Sequence, residues 1–101
     1  MSKKRGGREP RPGPRRYEIR LTRAAERGLA ALPKADLRRV DAKILALADA
    51  PHPPGSQKIR GEDGLYRIRS GDFRVLYQVE EGERVVLVVD VGNRRDIYRP
   101  S

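Results

Sequence analysis

The sequence predicts an α+β domain: an N-terminal strand, a two-helix hairpin, then a three- to four-stranded antiparallel sheet. Three observations predict it. Apolar residues recur at helical spacing between Arg23 and Asp49. Period-two alternation occupies Tyr17–Leu21 and returns after Ser56. Turn-forming residues then punctuate the second half at Ser70–Asp72 and Glu80–Glu83.

Taken in order, residues 1–16 precede any such pattern. They contain no aliphatic residue after Met1 and hold seven Lys or Arg against one Glu, a net of +6. Gly and Pro fill much of the remainder. Such a segment buries too little apolar surface to offset its ordering entropy, so it reads as a disordered basic tail. Its role is that of a solvated extension, the alternative being an electrostatic tether to RNA or the ribosome. The folding domain is then residues 17–101.

Tyr17–Leu21, "YEIRL", alternates as a half-buried strand does. Thr22 offers a hydroxyl N-cap, and Ala25, Leu29 and Leu32 follow at helical spacing. Pro33 suits the first turn of a second helix, where a missing N–H is harmless. In "KADLRRVDAKILALAD", Leu37, Val40, Ile44 and Leu47 form one stripe with charges opposite. "APHPPG" ends it. The stripe of this helical hairpin needs a sheet to cover it. "SQKIRG" is a short strand, "LYRIR" and "FRVLYQVE" flank the Ser70-Gly71-Asp72 turn, and "RVVLVVDVG" follows "EEGE". Val85–Val89 is apolar on both faces, which marks a strand covered on both sides or central in the sheet.

Arginines recur within these strands at Arg67, Arg69, Arg74 and Arg94. A two-residue loop at Ser70-Gly71 or at Gly71-Asp72 makes paired residue numbers sum to 141 or 143. Either register puts Tyr66, Ile68, Phe73, Val75, Tyr77 and Val79 on the core face, and Arg67, Arg69 and Arg74 together on the other. Like charges on adjacent strands repel. Asp72, Glu80 or Asp90 neutralises them, or water screens them, or they cradle phosphate oxygens through guanidinium forks.

Composition narrows the chemistry. The 101 residues carry a formal charge of +9, yet residues 17–101 hold 16 basic and 13 acidic groups, so an anion site on the domain must be local. The chain has no cysteine, which removes disulfides, thiolate metal sites and cysteine nucleophiles. No apolar run approaches a membrane span, and the basic N-terminus lacks the apolar segment of a secretory signal. A cytoplasmic location is expected. With no HxxH, no dense carboxylate cluster and no phosphate-binding Gly-rich loop after a strand, neither metal nor cofactor is expected. The one histidine, His52, lies in the proline-rich turn and reads as an exposed loop residue.

The ordered run "QKIRG…GLYRIRSGDFRVLYQVEEGERVVLVVDVGNRRDIYR", with the helical hairpin before it, resembles the RelE/ParE superfamily of bacterial toxin–antitoxin toxins from Tyr17 to Arg99. The resemblance implies a RelE-like fold and, for RelE-type members, ribosome-dependent endonucleolytic cleavage of mRNA in the A site. ParE-type members instead poison DNA gyrase, and an inactive relative would only bind its antitoxin. Carried onto this chain, the RelE-type site falls on Arg67, Arg69, Arg74, Arg94 and Tyr98. The family often has lysine where Arg67 and Arg69 stand, and many relatives have histidine where this chain has Asn93.

The implied reaction is metal-independent attack of the RNA 2′-hydroxyl on the adjacent phosphate. In that reading Arg74, Arg94 and Tyr98 are catalytic, Arg67 and Arg69 hold flanking phosphates, and Lys58 and Glu62 are auxiliary candidates for proton transfer. The expected partners are a cognate antitoxin and mRNA on the ribosome.

Overall fold

A computed structural model of the chain describes residues 16–61 and 64–93. Strand β1 (Glu18–Leu21) leads into helices α1 (Arg23–Ala30) and α2 (Lys34–Ala46). Strands β2 (Gln57–Lys58), β3 (Leu65–Ser70), β4 (Phe73–Glu80) and β5 (Val85–Asn93) follow. They form one five-stranded sheet in the order β1-β5-β4-β3-β2. The pairings from β2 to β5 are antiparallel, as expected, whereas β1 lies parallel to β5 and makes the sheet mixed. The helical hairpin carries the chain from β1 at one edge of the sheet to β2 at the other, and β5 then returns beside β1; a tight turn cannot join such parallel neighbours.

Helix α1 starts where the sequence places it. Thr22 has extended backbone, and its Oγ1 accepts from the Ala25 N–H at 3.0 Å. The same hydroxyl donates to the Val89 carbonyl at 2.6 Å, so one side chain caps the helix and ties it to β5. Pro33 stands one residue earlier than expected, as the N-cap of α2 with ψ 151°, and its carbonyl accepts from the Leu37 N–H. The outcome is the same physically, because neither position needs a proline N–H. Helix α2 stops at Ala46, before the proline-rich segment, and Leu47 is buried just past its end.

The core lies between the helices and one face of the sheet. Ala25, Val40, Ile44 and Leu47 meet Ile68, Val75, Tyr77, Val86, Val88 and Val91, with Tyr66, Phe73 and Val79 packed at its margin. Tyr77 is fully buried, and its hydroxyl donates to the Pro51 carbonyl at 2.8 Å, as a buried phenol requires. Strand β5 sits inside the sheet between β1 and β4, which accounts for its apolar residues on both faces.

The β3–β4 hairpin settles the register. Ile68 pairs with Val75 and Arg69 with Arg74, so paired numbers sum to 143 and the loop is Gly71-Asp72. Gly71 has φ 62°, the conformation that a tight two-residue hairpin demands of its first loop residue and that glycine adopts without a steric penalty. Ser70 belongs to the strand and is 8% exposed on the core face.

Strand β5 carries a bulge. Tyr77 pairs with Val88 but Leu76 pairs with Asp90, leaving Val89 without an opposite residue. One extra residue reverses which face each later side chain takes. It turns Val91 into the core and sets Gly92 opposite Arg74 on the other face. Thr22 anchors the bulge: its N–H donates to the Val88 carbonyl and its hydroxyl to that of Val89.

Candidate active site

The sheet face turned away from the helices is ordered in rows that follow from the pairings. Arg69, Arg74 and Gly92 make the row nearest the β3–β4 turn. Gln57, Arg67, Leu76 and Asp90 make the next. Leu65, Gln78, Leu87 and Arg20 come third, and Glu80, Val85 and Glu18 close the far end. Charge therefore runs from cationic at one end to acidic at the other.

Arg67, Arg69 and Arg74 share this face, as the period-two reading expects. Opposed side chains start about 5 Å apart, so Arg69 and Arg74 repel in a manner that a bound anion relieves. Arg67 is oriented by β2: its Nε donates to Gln57 Oε1 at 3.1 Å, and a second guanidinium nitrogen reaches the same oxygen. Gln57 is a positioning residue that sequence reasoning missed. A two-residue strand has too little pattern for its pairing to be read.

Two features make this face more than a solvated one. Leu76 and Val85 are only 7% and 8% exposed on it, and Arg74 Nε is excluded from solvent. A guanidinium in a water-poor setting acts on a phosphate more strongly than one in bulk solvent. Of the carboxylates on the strands themselves, one is bonded to backbone and one is remote. Asp90 accepts from the Val91 N–H at 2.9 Å, and Glu80 stands at the far end of β4.

Other expected residues fall elsewhere. Lys58 pairs with Tyr66, so its side chain starts on the helix side of the sheet, and the structure does not bring it to the arginines. Glu62, Arg94 and Tyr98 lie outside the described residues. His52 is exposed, as read from its loop, but it is not isolated. Its Nε2 is 3.4 Å from Glu81 Oε2, and its ring meets Tyr66 edge-on at 4.7 Å. Glu81 also accepts from the Tyr17 hydroxyl at 2.6 Å. These two contacts, Tyr17 first, hold the Glu81 carboxyl below the usual carboxylate range, and the same hydrogen bond raises the Tyr17 phenol. This network fastens the start of β1 and the His52 loop to the β4–β5 turn.

A groove of about 470 Å³ lies at the acidic end, lined by residues that include Arg20, Gln78, Glu80, Glu83 and Leu87. Its mixed charge suits no polyanion, and Arg20 is already held by Glu18 at 3.0 Å. Among the described residues no three of His, Cys, Asp and Glu gather as metal ligands, and no helix is long and apolar enough to cross a membrane.

A helical hairpin across a five-stranded sheet, with arginines opposed on its far face, defines an α+β module with one locally cationic face. Comparison with known proteins names the class. Residues 19–98 match the family model described as ParE toxin of type II toxin–antitoxin system. Toxin RelE of Mycobacterium tuberculosis is 31% identical over 84 residues, covering 82% of this chain and 87% of that protein. Toxin RelG of the same organism is 33% identical, covering 82% and 97%. Among solved structures, the toxin–antitoxin complex RelBE2 of M. tuberculosis superposes with a TM-score of 0.70 at 29% identity, covering 80% of this chain and 94% of that one. The archaeal RelE–RelB complex of Pyrococcus horikoshii gives 0.69 at 29% identity, covering 79% and 97%. The chain belongs to the RelE/ParE superfamily of toxins of type II toxin–antitoxin systems.

Proposed function

We propose that this toxin is a cytoplasmic, ribosome-dependent mRNA endonuclease. The observation that carries the reading is the register that sets Arg69 against Arg74, with Arg67 in the adjoining row and Arg74 Nε shielded from water. In the reaction, the 2′-hydroxyl oxygen attacks its own phosphorus and the bond to the 5′-oxygen breaks. The 2′-proton passes to a base, and a proton is supplied to the departing oxygen. A 2′,3′-cyclic phosphate and a 5′-hydroxyl remain. Arg74 and Arg94 stabilise the charge of the pentacovalent phosphorus, and Arg67 and Arg69 hold flanking phosphates. Tyr98 serves as acid or base. A guanidinium keeps its charge across the physiological range, which suits the four arginines to charge stabilisation and not to proton transfer. Glu62 and Lys58 are the auxiliary candidates, Lys58 less directly because its side chain starts on the other face of the sheet.

A cognate antitoxin is the second partner in this reading. Supporting it, the similar chains in the M. tuberculosis and P. horikoshii structures were solved in toxin–antitoxin complexes. A competing reading, inhibition of DNA gyrase without chemistry, draws on the ParE description of the family match.

One experiment separates them: induced expression of the parent, Arg74→Ala and Tyr98→Phe, with mRNA ends mapped on ribosomes. Losing one preorganised donor costs roughly 2.7–4 kcal/mol, so Arg74→Ala should cleave about 10²–10³-fold more slowly while folding normally. Tyr98→Phe should lose on the order of 10²–10⁴-fold if the hydroxyl moves a proton. A folded Arg74→Ala as toxic as the parent, or arrest with intact mRNA and poisoned gyrase, would overturn the nuclease reading.

A further inference from the structure

Beyond the arginine face, the edge of the sheet is open. Strand β2 covers β3 only at Tyr66 and Arg67, so the chain from Pro53 to Gly55 departs from the β3 edge beside Ile68 and Arg69. Between that loop, the C-terminal half of α2 and the β3 edge lies a groove of about 440 Å³. Lys43 and Arg69 line it together with Ala46, Pro53, Pro54 and Ile68, and among the described residues no acidic side chain does. Neither Lys43 nor Arg69 is held in an ion pair among the described residues.

The geometry points to a nucleotide-binding subsite in this groove, which takes one nucleotide of single-stranded RNA flanking the cleaved bond. It rests on the nuclease reading and extends it. Arg69 is the connection, since it stands opposite Arg74 on the reaction face and also lines the groove. A phosphodiester chain crossing Arg74 and Arg69 passes over the sheet edge and meets Lys43, which lines the groove with Arg69. The prolines and Ala46 give a flat apolar wall for a ribose or base, which is sequence-tolerant contact. The volume suits one small ligand unit. An amphipathic helix needs a row of anchors two turns long, and the few small apolar side chains here do not supply it. Charge and size therefore favour a nucleotide over a peptide.

The test uses the full chain and two non-cleavable 2′-O-methyl RNAs, a trimer confined to the arginine face and a hexamer long enough to reach the groove. Binding of each is measured across salt concentrations for the parent, Lys43→Ala, Lys43→Arg and Arg74→Ala. Lys43 is exposed within α2, where alanine is a good helix former, so the variant should fold. For the hexamer, Lys43→Ala should weaken binding several-fold and make the slope of log affinity against log salt shallower by about 0.7, one phosphate contact on a single strand. Lys43→Arg should restore both, and the trimer should be indifferent to either change. Equal effects on trimer and hexamer, or an unchanged salt slope, would overturn the subsite. So would a Lys43→Ala defect confined to capture of the cognate antitoxin, which would make the groove a protein contact. If Arg74→Ala weakens both RNAs while Lys43→Ala weakens neither, the subsite alone fails. If the parent binds neither RNA, the subsite falls, whereas the ribosome-dependent nuclease reading stands or falls on the mRNA ends mapped on ribosomes.

Discussion

Gly28 offers a test in which local propensity and tertiary packing predict opposite signs. It lies inside α1 with ordinary helical backbone, so Gly28→Ala judged by the helix alone should stabilise by about 0.8–1.0 kcal/mol. The structure reverses this. A Cβ at residue 28 would overlap the Val91 carbonyl oxygen and stand 2.9 Å from the carbonyl carbon and 3.2 Å from Val91 Cβ. The obstructing atoms are mostly backbone, in a strand paired to β4, so they cannot swing aside as a side-chain tip could. Relief requires α1 to lift off β5, which loosens buried Ala25 and the partly buried Leu29. Overpacking of this kind costs typically 1–3 kcal/mol and sometimes more. Set against the helix gain, and with a backbone obstacle placing it at the high end, the net is a destabilisation of about 1–3 kcal/mol. For a domain of this size each kcal/mol moves the thermal midpoint by about 4–8 °C, so the variant should melt roughly 5–20 °C lower. Thermal unfolding followed by circular dichroism on the two purified proteins decides the matter. A midpoint equal to or above the parent's would refute the close approach of α1 to β5.

Thr22→Val keeps the shape but removes the hydroxyl that caps α1 and satisfies the Val89 carbonyl, and should cost about 1–3 kcal/mol in denaturant unfolding; a loss below ~0.5 kcal/mol would mean that neither bond matters. The Tyr17–Glu81–His52 network should make stability depend on acid. Because the folded Glu81 carboxyl is held below its unfolded value near 4.3, its contribution is complete above that value and disappears as pH falls through the lower folded one. Thermal midpoints of the parent and Glu81→Gln should therefore differ most near neutrality and converge in acid; a constant gap across pH contradicts the linkage. Deleting residues 1–16 should move the midpoint by only a few degrees, because those residues carry almost no apolar surface and the ion pair removed among the described residues, Arg16 to Asp49 at 3.0 Å, is exposed and worth at most ~1 kcal/mol; a large drop would show that the domain begins earlier than Tyr17.

The sequence by itself determined the elements, their order and the two faces of the β3–β4 hairpin. Period-two alternation leaves a strand no freedom: once Val75 and Tyr77 face the core, Arg74 cannot, and a two-residue loop carries the same constraint to Arg67 and Arg69. Thr22 was equally legible, because a hydroxyl before an apolar-periodic run has one local use. Tertiary structure decided what depends on distant partners. The parallel pairing of β1 with β5 joins residues some 67 positions apart, as Ile19 with Val86 shows, and no local pattern encodes it. The bulge at Val89 occurs in a strand apolar on both faces, where alternation gives no warning that Val91 and Gly92 exchange sides. The second use of Thr22, bonding the Val89 carbonyl, likewise exists only once α1 lies beside that bulge. Gly28 reads as a weak point in a helix until Val91 is brought against it. Lys58 reads as one more cation near the arginines until its pairing with Tyr66 assigns it to the other face. Periodicity records which way a side chain points along its own strand, and only packing decides what stands there to meet it.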